Sequence, residues 1–226
     1  MDMKKMRLCA CLVTLCLTAT HLPASYNVTL RNWDDYQSVL QLEKMQSFKD
    51  AEKLKEYLKV FFTEWEPLDN LALDFKRYLQ ISDEVMRDAL TGIVRESSAR
   101  VGWIRDTSRS GDATVRRMIR TAIQWMWVCT DTETKKLLWD IAMDSAKDSG
   151  YRRVATIAYL RRADVDVQET KDFFKSLFAD EARLPADHIA VFKYGIETVL
   201  KEKMDEKKRE EIDAAYRVIT AREKKE

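Results

Sequence analysis

From Asp34 onward the apolar residues fall at intervals of three and four, the spacing that gathers them on one face of an α-helix. Leu54, Tyr57, Leu58, Phe61 and Phe62 predict a helix opening near Asp50, with Ser47-x-x-Asp50 as its start signal. Pro67 then interrupts the chain, because it cannot sit in a helix interior. Residues 68–79 resume the pattern with Leu71, Leu73, Phe75, Tyr78 and Leu79. Ser82 is placed to cap the next helix, whose stripe is Val85, Met86, Ala89, Leu90, Ile93 and Val94.

The second half is more regular. A helix from Asp112 carries Val115, Met118, Ile119, Ala122, Ile123 and Met126 on one face. Thr130-x-x-Glu133 reads as a capping box ahead of Leu137, Leu138, Ile141 and Ala142, and Asp166-x-x-Glu169 as another ahead of Phe173, Phe174, Leu177 and Phe178. Ser149 opens the helix of Tyr151, Val154, Ala155, Ala158 and Tyr159. Pro185 stands where a first-turn proline is tolerated, before Ile189, Phe192, Ile196, Val199 and Leu200. A charged helix from about Asp205 to Arg222 closes the chain as a polar cap. These starts, at 112, 130, 149, 166, 185 and 205, recur every 17 to 20 residues, so two helices repeat every 36 to 39. Such a period marks an α-solenoid. An irregular bundle of helices of ordinary length gives similar spacing and stays open as the alternative.

A short motif recurs with the period. Asp83-Glu-Val-Met-Arg87, Asp112-Ala-Thr-Val-Arg116 and Asp148-Ser-Gly-Tyr-Arg152 each place Asp at a helix start and Arg one turn on. The pairs Ala89-Leu90, Met118-Ile119 and Val154-Ala155 follow in the same phase. Aspartate there satisfies free N–H groups, and the Arg can reach it or the Asp of a neighbouring helix. Over about Leu68 to Leu200 this resembles the HEAT-repeat family, whose second helices carry an Asp…Val-Arg…Ala pattern. The stretch Ala99–Trp103 departs from it, with a short first helix and a polar loop from Asp106 to Gly111, and the pair at Glu169 and Ile189 lacks the Arg. The resemblance implies a short right-handed all-α solenoid of antiparallel helix pairs, with second helices lining a concave surface that holds partners.

The chain opens differently. Lys4, Lys5 and Arg7 precede an apolar run from Leu8 to Ala19, and Leu22-Pro23-Ala24 supplies a small residue for cleavage. That order is a secretory signal peptide over residues 1–24, and the run is too short to cross a bilayer core of about 30 Å. The chain is therefore expected to be periplasmic or secreted. Leu8-Cys9-Ala10-Cys11 falls too early to be a lipidation box, and Cys16 follows Leu15 where a small residue is wanted. The remainder divides into a helical segment over 25–66, repeats over 67–203 and a charged capping helix over 204–226.

Composition then narrows the chemistry. Five Gly and three Pro in 226 residues suit long helices rather than many turns. Loss of the leader removes Cys9, Cys11 and Cys16 and leaves Cys129 without an intrachain disulfide partner. It also removes three cations and one anion, turning a formal charge of +1 into −1, which disfavours general nucleic-acid binding. His188 is the one remaining histidine, so zinc lacks a cysteine–histidine ligand set. No calcium loop, phosphate loop or dinucleotide fingerprint occurs, and no metal, cofactor or catalytic residue is expected. An enzyme would have to use a Cys129–His188 dyad or paired carboxylates such as Asp140 with Asp144, or Asp144 with Asp148.

Binding is the better-supported class. Trp103, Trp125, Trp127 and Trp139 cluster, and Trp125 and Trp127 cannot share a helix face. One belongs to the core, leaving Trp127 as a partner-contacting candidate. Arg116, Arg117, Arg120, Arg152 and Arg153 put a basic surface on adjacent second helices, with acidic Asp131, Glu133, Asp140 and Asp144 on the first helix between them. Two readings stay open: a basic stripe for an acidic peptide or polymer, and an internal ladder in which Arg87, Arg116 and Arg152 pair with Asp of neighbouring repeats. The expectation is a non-enzymatic scaffold for a protein partner, the alternative a helical carrier enclosing an apolar or envelope-derived ligand. Asn27-Val28-Thr29 is a glycosylation acceptor if the source is a eukaryote. Mass analysis of the exported chain is expected to find an amino terminus at Ser25 or within about three positions of it; an exported product retaining Met1 would overturn the leader.

Overall fold

The computed structural model describes residues 48–64, 67, 71–101, 110–178, 186–202 and 204–223. The leader, Asn27, Trp103, Pro185 and residues 25–47 of the amino-terminal segment lie outside them. Among the described residues the structure is all-helical, with no strand. The α-helices are α1 (Ala51–Glu64), α2 (Ala72–Tyr78), α3 (Asp83–Val101), α4 (Ser110–Trp125), α5 (Thr132–Met143), α6 (Ser149–Arg161), α7 (Val167–Phe178), α8 (Ala186–Leu200) and α9 (Glu206–Glu223). A 3₁₀ turn, Met126–Val128, follows α4 directly. The stretch expected to hold a short extra helix near Ala99 is instead the end of α3, which runs on to Val101.

Carboxylates hold the helix starts. Asp50, Asp131, Asp148, Asp166 and Asp205 each accept a backbone N–H from the first turn they precede, at 2.9, 2.8, 2.8, 2.7 and 3.1 Å. Each such cap contributes about 1 kcal/mol. At α7 the capping box closes reciprocally, with Asp166 N donating to Glu169 Oε2 at 3.1 Å. The box expected at Thr130 does not form. Asp131 is the cap of α5, and Thr130 Oγ1 donates to Asp83 Oδ2 at 2.9 Å, because Asp83 at the start of α3 lies beside this turn.

The helices pack in an alternating order. Helix α1 lies on α3, α3 on α4, α4 on α6 and α6 on α8, while α5 lies against α6 and α7, and α9 against α7 and α8. The apolar stripes meet in one continuous core. Trp125 is central to its first half, with edge-on contacts to Phe62 at 5.0 Å and Phe75 at 5.2 Å between ring centroids. Trp139, Tyr159 and Phe173 fill the second half, with Tyr159 stacked on Phe173 at 4.4 Å. Burying each of these rings contributes about 1.5–3 kcal/mol, and each ring pair about 0.5–1.5 kcal/mol more.

Polar contacts then tie the connections together. Arg162, just past α6, is fully buried at 0% exposure. Its guanidinium donates to Cys129 O, to Asp131 O at 2.8 Å, and to both carboxylate oxygens of Asp164 at 2.9 and 2.8 Å. Its own carbonyl accepts from Lys208 Nζ at 2.8 Å. Lys76 of α2 serves the same α4–α5 connection, donating to Val128 O at 2.9 Å and pairing with Asp83. Cations thus satisfy the backbone carbonyls of successive connections. Arg162 makes four donated bonds, to two carbonyls and to both oxygens of one carboxylate, and an ammonium has only three N–H groups to give. Replacing Arg162 by Leu strands these acceptors and is expected to cost about 3–5 kcal/mol of unfolding free energy, with Arg162→Lys recovering only part. Urea denaturation measures it, and a loss below about 1 kcal/mol would show that water satisfies the connection instead.

Candidate functional site

Helices α4, α6 and α8 lie side by side, and α4 and α6 carry the arginines singled out above. Consecutive residues on a helix point about 100° apart, so each arginine pair is split between core and surface. Arg116 and Arg152 turn inward, at 7% and 2% exposure, while Arg117 and Arg153 are half-buried at the surface. Arg152 Nε donates to Ala142 O of α5 at 2.9 Å, and its guanidinium lies 4.9 Å from the centre of the Phe192 ring on α8. Burial pulls its pKa below the usual arginine value. Arg152 is thus a strut joining three helices. Arg116, with Arg120, flanks the buried Tyr151 hydroxyl, whose pKa burial raises against the pull of both cations.

The outward set is smaller. Arg117 donates to Thr63 O near the end of α1 at 3.1 Å. The stem of Arg120 lies over Gly150 of α6, where an added Cβ would stand 3.6 Å from Arg120 Cδ. Arg153 lies over the ring of Tyr194 on α8, 5.4 Å from its centre, and Tyr194 is 60% exposed. Gly195 allows this approach, since a Cβ there would come within 3.3 Å of Ile157 Cγ1 and 3.4 Å of Arg153 Cγ. Trp125 is the core member of its pair and Trp127 is half-buried against the core. Of the residues that reach the surface, Arg153 and Tyr194 lie in contact, while Arg117 reaches α1 and Arg120 lies over Gly150. Tyr194 escaped the sequence reading although it carries a signal: it stands two residues from both Phe192 and Ile196, off the apolar stripe.

The ladder reading is met in part. Arg87 pairs with Asp88 at 2.8 Å and approaches Asp131 and Glu133 of α5 at 3.8 and 3.4 Å. Asp83 pairs with Lys76 instead of Arg87, and Asp148 spends its carboxylate on the cap of α6.

The catalytic candidates are otherwise engaged. Asp140 pairs with Lys136 at 2.5 Å. Asp144 pairs with Lys147, which holds its carboxyl below the usual range. Asp144 therefore stays ionised at neutral pH, the opposite of what a general acid needs. Cys129 is completely buried and burial pushes its thiol up to about 12, far from a reactive thiolate. The side chain of His188 lies outside the described residues. Among the described residues no three metal-ligating side chains converge, and no helix is long and apolar enough to cross a membrane.

An adjoining cleft of about 460 Å³ lies between the α6–α7 and α8–α9 connections. Leu160, Val165, Val199 and Met204 supply apolar wall. At its edge Arg161 Nε grips both carboxylate oxygens of Glu202 at 2.8 and 2.9 Å. Lys208, only 9% exposed, also lines it, and burial pushes its pKa down to about 8. Neither Arg161 nor Lys208 belonged to a predicted site, since charged residues near a helix end carry no distinguishing pattern.

No family model matches the chain, and searches among curated proteins and solved structures found no similar protein.

Burial of Lys208 has a sign that can be measured. The unfolded chain binds its proton up to about pH 10.4 but the folded chain releases it near 8, so stability rises with pH between the two. Below pH 8 the cost of the buried charge is present in full. Relative to Lys208→Met, the wild type is expected to gain urea resistance between pH 8 and pH 10 and to show a constant difference from pH 6 to 7.5. A difference that is flat across the whole range would place the amine in solvent.

Proposed function

We propose that α4 to α9 stack as a short right-handed solenoid of antiparallel helix pairs, similar to HEAT repeats, and that the chain is an exported, non-enzymatic scaffold. A protein partner with an acidic surface docks across α4, α6 and α8. Contacts that skip one helix, α4 on α6 on α8 and α5 on α7 on α9, support the stacked reading. Lys208 bonding back to the carbonyl of Arg162, as Arg162 does to that of Cys129, supports a repeated connection.

The observation that carries the binding reading is the Arg153–Tyr194 pair, an arginine lying on a largely exposed tyrosine ring at a helix–helix seam. Arginine and tyrosine dominate interface energetics because each offers broad contact area with a polar tip. Arg117 occupies on α4 the place that Arg153 occupies on α6, next to the inward member of its pair, and so extends the positive potential along the layer. A specific observation favours a second reading, the carrier. The cleft beside α9 has apolar wall and is of the size that holds small molecules.

Capture from the native envelope fraction with the tagged mature chain tests the scaffold. The wild type is expected to recover a defined partner, and Tyr194→Ala and Arg153→Glu to weaken it at least about tenfold with unchanged helical circular dichroism. A partner held equally by both variants, or none held by the wild type, rules out this face.

A further inference from the structure

Lys208 is the third residue of α9 and points its amine back toward the α6–α7 connection, where it donates to Arg162 O at 2.8 Å. No carboxylate of the described residues stands within 4.0 Å of that nitrogen, although the lysine is more than nine-tenths buried. The charged groups around it are Arg162, Asp164 and Asp166 on the α6–α7 connection, Glu169 on α7, Arg161 on α6, and Glu202 and Asp205 near the start of α9. Most are already committed. Arg162 holds Asp164, Arg161 holds Glu202, Lys135 holds Glu169, and Asp166 and Asp205 cap α7 and α9. The carboxylates are thus already held by other cations or by helix starts, and none forms an ion pair with Lys208. The cleft has apolar wall from Leu160, Val165, Val199 and Met204, and one amine whose charge is poorly solvated.

An anionic ligand would meet the surplus of carboxylates among these groups, and any charged group would lose its water against the apolar wall, whereas a neutral ligand with an apolar tail incurs neither cost. A lysine amine that loses its proton easily in an apolar setting is a nucleophile toward carbonyl carbon. We propose that Lys208 is a carbonyl-capturing amine and that the cleft beside it takes a neutral aldehyde or ketone bearing a short apolar chain. The lone pair of the uncharged amine attacks the carbonyl carbon to form a carbinolamine. Its hydroxyl leaves as water with one proton from the nitrogen, giving an imine. Taking up one proton from solvent, the imine becomes an iminium. Its single N–H remains available to Arg162 O, the acceptor the free amine already uses. No oxidant or reductant takes part. This inference stands apart from the docking face, since Tyr194 and Arg153 are not in the cleft.

Reductive trapping tests it on the full-length chain. The protein is incubated at pH 7.5 with limiting hexanal or formaldehyde and cyanoborohydride, and adducts at Lys208 and at the exposed Lys136 are counted by peptide mass spectrometry. With hexanal Lys208 is expected to react about tenfold faster than Lys136, because far more of it is uncharged at this pH. The ratio is expected to be larger with hexanal than with formaldehyde, because only the longer chain reaches the apolar wall. A ratio below about three with hexanal, or one no greater than that with formaldehyde, overturns the proposal.

Discussion

A buried guanidinium with two backbone carbonyls and a carboxylate around it organises the carboxyl-terminal half of this protein. Short connections between helices leave C=O groups facing inward, and a carbonyl buried without a donor costs about as much as a lost hydrogen bond. Arg162 meets those of Cys129 and Asp131 together, while Asp164 balances its charge. Lys208 then satisfies Arg162 O from the next connection along. The α4–α5, α6–α7 and α8–α9 connections are thereby coupled, and the relative placement of the helices that leave them depends on one residue.

The same economy of donors divides the arginines. Arg116 and Arg152 are drawn inward, and Arg152 reaches an α5 carbonyl and the Phe192 ring. Their neighbours Arg117 and Arg153, rotated by one helical step, stay at the surface. An arginine stem is long enough to cross onto the next helix, and Gly195 is where α8 admits that of Arg153. The candidate docking face is therefore a by-product of close helix packing: glycine brings the layers together, and the guanidinium that crosses the seam lies on an exposed ring.

Much of this was legible in the chain. The apolar period predicted the helices of the second half, with starts at 149, 166, 185 and 205 falling within one residue of those observed. Asp166-x-x-Glu169 closed as read because a capping box is local, needing only its own four residues. Thr130-x-x-Glu133 did not, because a competing acceptor, Asp83, arrives from 47 residues away. The split of Trp125 and Trp127 between core and partial exposure followed from helical geometry alone. Arg162, Tyr194 and Lys208 were not visible, since a lone arginine after a helix, a tyrosine off a stripe and a lysine in a charged run look alike when buried or solvated.

The sequence by itself determined an all-helical chain and where most of its helices begin, because periodicity and caps are properties of neighbouring residues. Only the tertiary structure decided which arginines turn inward, which carbonyls need a cation and where an amine loses its water. Those outcomes depend on what a second or third helix brings within a few ångströms, and a desolvated charge is defined by that company rather than by its place in the chain.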